Sequence, residues 1–113
     1  MSESLFHIVD AQVWASAVEA GEYQAQSLAT EGFMHCSFGP QVHATLQRHY
    51  PGVSGVVVVE LDAARIPALI VLENAPGGEA FPHVYGPVPT DAALGVHEVT
   101  EFRPGSDAAS LDR

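Results

Sequence analysis

Apolar residues along the chain come in short runs whose spacing switches between the periods of strand and helix. Leu5 to Val9 is apolar except for His7 and predicts a short strand. Asp10 then suits a helix N-cap, and Val13, Trp14, Ala17 and Val18 recur three and four residues apart, a helical stripe closed by Gly21. The segment EYQAQSLATE follows neither period and reads as a loop. It leads into a strand over Gly32 to Ser37. A second helix is expected from about Pro40 to Tyr50, with proline in its first turn, Val42, Leu46 and His49 on one side, and the PG at 51–52 as its stop.

GVVVVELD is the clearest strand in the chain, since four consecutive valines suit a strand covered on both faces and central in its sheet. Asp62 opens a short helical turn, DAARI. ALIVLE predicts another strand, NAPGGE a turn-rich loop, HVYG a short extended piece, and Gly95 to Phe102 a last strand. Together these give an α+β fold, a mixed and largely antiparallel β-sheet with two helices on it. A chain of 113 residues fits one domain, expected over residues 5–103, with a flexible polar tail at 104–113.

Composition narrows the partners. The chain is 47% hydrophobic and 16% charged, with fourteen acids against four arginines and no lysine, for a net charge of −10. Nucleic-acid backbones and anionic membranes need clustered cations, so neither is an expected partner. No apolar run approaches the length of a membrane span, and MSESLF lacks the basic start and apolar core of a signal peptide. The single Cys36 excludes an internal disulfide. The chain is therefore read as cytoplasmic, with a small molecule as its partner and its oligomeric state left open.

Candidate chemistry lies with the histidines. His7 sits on the strand face opposite Phe6 and Ile8, His35 shares a face with Phe33 and Ser37, and His83 shares one with Tyr85. Each imidazole taken singly reads as a core or rim histidine satisfied by backbone groups. Three of them on three strands, beside aromatics and turn glycines, are what a ligand pocket contains. His43, His49 and His97 lack that setting. Cys36 neighbours His35 in sequence but points to the opposite strand face, so it reads as buried and inert and not as a thiol nucleophile. A three-histidine metal site has the right ligand type, but HxH and HExxH spacings are absent, and no metal is expected. PGGE lacks the lysine of a phosphate loop and reads as a turn.

The segments FHIV, GEY with Ser27, EGFMHCS with Gln41, VVVVELD and FPHVYGP resemble, taken jointly over Leu5 to Phe102, a family of small bacterial domains of unknown function. That family in turn resembles the ADP-ribosyltransferase fold, a split β-sheet that binds NAD in a cleft. The resemblance implies His7, His35 and His83 as catalytic positions, with Ser27, Phe33, Ser37, Gln41, Tyr85 and Gly86 binding the ligand and NAD as substrate, not as a resident cofactor. Phe33 and Tyr85 are suited to stacking on a nicotinamide or adenine ring. Such transferases commonly carry a glutamate on a later strand. Here that place holds His83 and Tyr85, and the nearest acids, Glu73, Glu79 and Glu98, fit no motif. The motif segments also lack Arg and Lys, leaving the imidazoles and the helix N-terminus near Pro40 as the groups expected to favour a diphosphate. Three readings follow from the chain: an enzyme acting on NAD or an ADP-ribose compound, a non-catalytic binding or regulatory domain, and a metal-dependent enzyme.

Overall fold

The computed structural model describes residues 3–99. Strand β1 (Ser4–Asp10) runs into helix α1 (Ala11–Ala20). Then follow β2 (Glu22–Tyr23), α2 (Gln26–Thr30), β3 (Met34–His35), a 3-10 turn (Gly39–Gln41) and α3 (Val42–His49). Strands β4 (Val56–Asp62), β5 (Ile70–Asn74), β6 (Ala80–Val84), β7 (Val88–Pro89) and β8 (Ala93–Glu98) complete the order, with 3-10 turns at Ala63–Arg65 and Thr90–Ala92.

Two three-stranded sheets, in the orders β1-β4-β8 and β3-β6-β5, are accompanied by a two-stranded ribbon of β2 and β7. Every ladder among the described residues is antiparallel, so the expected mixed sheet is corrected: each connection folds back without a parallel crossover. The two sheets share the larger core and are bridged where Phe6 of β1 and Ser37 exchange two backbone hydrogen bonds of 2.8 Å.

Local chemistry explains the elements. The Asp10 carboxylate accepts from the amides of Gln12 and Val13 and starts α1, and Gly21 ends it at φ 86°, a left-handed conformation that glycine adopts without a Cβ penalty. Strand β4 is covered on both faces, as its valine run demands. Val57, Val59 and Leu61 join the larger core with Leu5, Val9 and Trp14, whereas Val58 packs with Phe6, Ile8, Val42 and Leu46 under α3. Strand phase places His7 in the larger core, between Leu5 and Val9.

Some expectations change. EYQAQSLATE is not a loop: it holds both β2 and α2, which were hidden because a two-residue strand and a five-residue helix are too short to show a period. Only Trp14 and Ala17 of the α1 stripe are buried, while Val13 and Val18 are half exposed. On α3, Val42 and Leu46 are buried and His49 is exposed. The last strand begins at Ala93, and the parts expected to reach Phe102 and to form the tail lie outside the described residues. No helix among the described residues is long and apolar enough to cross a membrane.

This burial pattern sets an expectation for mutants. Trp14→Ala should cost about 3–5 kcal/mol, because a large buried ring leaves a cavity. Val13→Ala and Val18→Ala should each stay within about 0.5 kcal/mol. Urea unfolding of the three variants measures the contrast.

Candidate functional site

The junction between the sheets is held by His7 as well as by backbone. Its Nδ1 lies 2.7 Å from the His35 carbonyl oxygen, and its Nε2 lies 2.8 Å from the Tyr23 hydroxyl. A carbonyl only accepts, so Nδ1 carries the proton and the bare Nε2 accepts from Tyr23. Burial pulls the His7 pKa from 6.5 down to about 4, which leaves the ring neutral at physiological pH. Tyr23 is held in place by the β2–β7 ribbon and by Trp14, whose ring centroid is 5.6 Å away, and burial raises its hydroxyl to about 12. Both nitrogens of His7 thus serve the fold.

Beyond the junction, antiparallel register sets His35 directly opposite His83. Their rings lie 5.3 Å apart, and Phe33 stacks on His83 at 4.0 Å with 13° between the planes. Phe33 also meets His35 edge-on at 4.8 Å and Tyr85 at 5.4 Å, making a platform of four rings. Ser27 supports it by donating to the Phe33 carbonyl at 2.6 Å.

Carboxylates orient the platform. Glu73 Oε1 accepts from His83 Nδ1 and from the Tyr85 hydroxyl, both at 2.6 Å. These bonds, Tyr85 first and His83 second, hold Glu73 below the usual carboxylate range, and the same carboxylate raises the Tyr85 hydroxyl. A carboxylate only accepts, so His83 Nδ1 is the donor and Glu73 fixes the orientation of the ring. Glu31 takes His35 Nε2 at 3.0 Å in a largely exposed pair that contributes little stability.

A cavity of about 1230 Å³ opens beside these rings, and its wall includes His7, Tyr23, Ser27, Phe33, His35, Ser37 and His83. The three histidines named from strand phase therefore border one space. They do not share one role, because His7 is buried and doubly bonded whereas His35 is exposed. Three other sequence candidates lie off that wall. Gln41 binds the Phe38 amide, Glu79 and the Ala80 carbonyl, fastening the 3-10 turn to β6. Tyr85 and Gly86 border a separate shallow pocket of about 480 Å³. A Cβ on Gly86 would meet the Ala68 Cβ at 2.8 Å, so this glycine permits close packing.

Sequence reasoning missed Tyr23 and Arg48 as site residues and set Glu73 aside as fitting no motif. Glu73 and Tyr23 become partners only through strand register, which no local motif announces. Arg48 lines the cavity with Thr45 and His49, so α3 presents its later turns there and not the N-terminus near Pro40. Cys36 is buried, and desolvation raises its thiol to about 12, which suits an inert residue. Among the described residues no group of three or more His, Cys, Asp or Glu side chains is placed to hold a metal ion.

Three outcomes test this geometry. Because the unfolded chain takes up the His7 proton at higher pH than the native one, stability from this group is intact above about pH 6.5. It falls by about 3 kcal/mol as pH drops towards 4. Tyr23→Phe leaves the buried His7 Nε2 without its partner, so it should cost about 1–2 kcal/mol at pH 8, read by denaturant unfolding. Gly86→Ala should destabilise by about 1–3 kcal/mol, and adding Ala68→Gly should recover much of that in the same measurement.

The profile of a family described as protein of unknown function, DUF952, matches residues 8–96, and the chain belongs to this family. Among solved structures it is similar to protein CC0527 from Caulobacter crescentus. The crystal structure of CC0527 is 23% identical, covers 82% of each chain and has a TM-score of 0.75. The solution NMR structure of the same protein is 20% identical over 96% of this chain and 98% of that one, with a TM-score of 0.71. This likeness establishes the shared fold. No curated protein matches the chain.

Proposed function

We propose that this DUF952 domain binds NAD or another ADP-ribose-containing small molecule in the cavity beside the Phe33–His83 platform. The observation that carries the reading is the stacked, nearly parallel Phe33 and His83 pair at 4.0 Å, with His35 edge-on to both, on the wall of a cavity large enough for a dinucleotide. Flat rings with polar edges suit a nicotinamide or adenine base, which stacks on aromatic faces and is then held by imidazole hydrogen bonds. The split between the two sheets at the Phe6–Ser37 bridge supports the likeness to ADP-ribosyltransferases, since it leaves a cleft where β1 and β3 part. A small molecule as partner suits the net charge of −10, and a cytoplasmic setting suits the lone free cysteine.

Of the catalytic and non-catalytic versions, the geometry favours binding. His7 has no nitrogen left for a ribose hydroxyl. The Glu73 carboxylate is engaged by His83 and Tyr85, and it lies off the cavity wall, so Glu73 is not placed to stabilise an oxocarbenium-like transition state. What remains for proton transfer is His83 Nε2, with Glu73 as its positioning partner.

Thermal melting decides the reading. A ligand at about 100 times its dissociation constant adds roughly 2.7 kcal/mol of stability, a shift of several degrees or more for a domain of this size. NAD, ADP-ribose or AMP is expected to give such a shift, and Phe33→Ala and His35→Ala are expected to weaken it tenfold or more in apparent affinity. His7→Ala should instead lower the melting temperature without ligand, because it orphans the Tyr23 hydroxyl and the His35 carbonyl. Unchanged melting with all three ligands at millimolar concentration would sink the reading.

A further inference from the structure

We propose that the later turns of α3 form an oxyanion subsite in the cavity, in which Arg48 and Ser37 hold a phosphate or diphosphate group. The proposal rests on the nucleotide reading and deepens it by naming where the charged part of the ligand sits.

Thr45, Arg48 and His49 are spaced three and four residues apart, so they share one face of α3, and all of them line the cavity. Among the described residues Arg48 makes no ion pair, whereas Arg65 is paired with Asp62 at 3.7 Å. An unpaired guanidinium on a cavity wall is unexpected in a chain of fourteen acids and four arginines. The two carboxylates on the same wall are already engaged. Asp10 accepts from the Gln12 and Val13 amides at 2.8 and 3.1 Å, and Glu31 holds His35 at 3.0 Å.

Ser37 supplies the second, independent observation. Its residue is only 4% exposed, yet its hydroxyl meets nothing closer than Thr45 Oγ1 at 3.4 Å, beyond the usual range for a hydroxyl pair. Thr45 gives its own proton to the Gln41 carbonyl at 3.0 Å. The Ser37 proton is therefore loosely held, at a buried position on the cavity wall, close to the face that carries Arg48. A guanidinium fork with a hydroxyl donor is the donor set that phosphate oxygens accept from, and charge-assisted bonds of this kind are the strong ones.

The test uses the whole chain. Inorganic pyrophosphate should shift the Arg48 Nε–H resonance in a nitrogen-detected NMR titration. By calorimetry, Arg48→Gln should weaken ADP-ribose about 10- to 100-fold and flatten its salt dependence, with adenosine binding changed less than about twofold. Ser37→Ala should weaken ADP-ribose in the same direction. Arg48 is exposed, so its variant should melt with the parent in the absence of ligand. An Arg48 resonance indifferent to pyrophosphate overturns the subsite, and so does an equal loss for adenosine and ADP-ribose. If ADP-ribose binds and Arg48→Gln leaves its affinity unchanged, the subsite fails and the nucleotide reading stands. If pyrophosphate shifts Arg48 and no nucleotide binds, the subsite stands and the nucleotide reading fails.

Discussion

One buried imidazole ties together two sheets that share a hydrophobic core and the Phe6–Ser37 backbone pair. His7 reaches from β1 to the main chain of His35 and to the hydroxyl of Tyr23, and each contact satisfies a group that would otherwise be orphaned in the core. The cost of leaving such groups unpaired exceeds the net worth of the bonds themselves. The tie therefore fixes β3 against β1, while the ladders of β3 with β6 and of β6 with β5 set which residues lie opposite each other. It also requires the β2–β7 ribbon, because without that ribbon nothing would deliver Tyr23 to the ring.

Much of this frame is legible in the amino-acid sequence. The valine run marked β4 as covered on both faces, and Asp10 and Gly21 marked the ends of α1, since caps act locally and leave local signals. The tiny β2, β7 and α2 left none, because a strand of two residues has no alternation to detect. Strand phase alone brought His7, His35 and His83 to one cavity. It could not separate a buried, doubly bonded His7 from an exposed His35, since burial depends on which segments later cover each strand. Glu73 was visible as an acid near FPHVYG, but its pairing with His83 and Tyr85 depends on the register between β5 and β6, which the residues of neither strand state on their own.

The site that results divides into parts with different chemistry. Phe33, His83, His35 and Tyr85 form an aromatic platform, with Glu73 orienting the His83 ring and the Tyr85 hydroxyl. The later turns of α3 offer a cation and hydroxyls. The two carboxylates on the wall are each hydrogen-bonded, Asp10 by the Gln12 and Val13 amides and Glu31 by His35. Such local arrangement matters more than net charge for what a pocket accepts, because screening removes distant charges within about 8 Å at physiological salt.

The bond from His7 to β3 ends on a main-chain oxygen, not on the imidazole of residue 35. Every amino acid carries that oxygen, so descent with modification can exchange the side chain at position 35 without dismantling the join beneath it. The join and the side chain that faces the cavity are thus carried by separate atoms of the same residue.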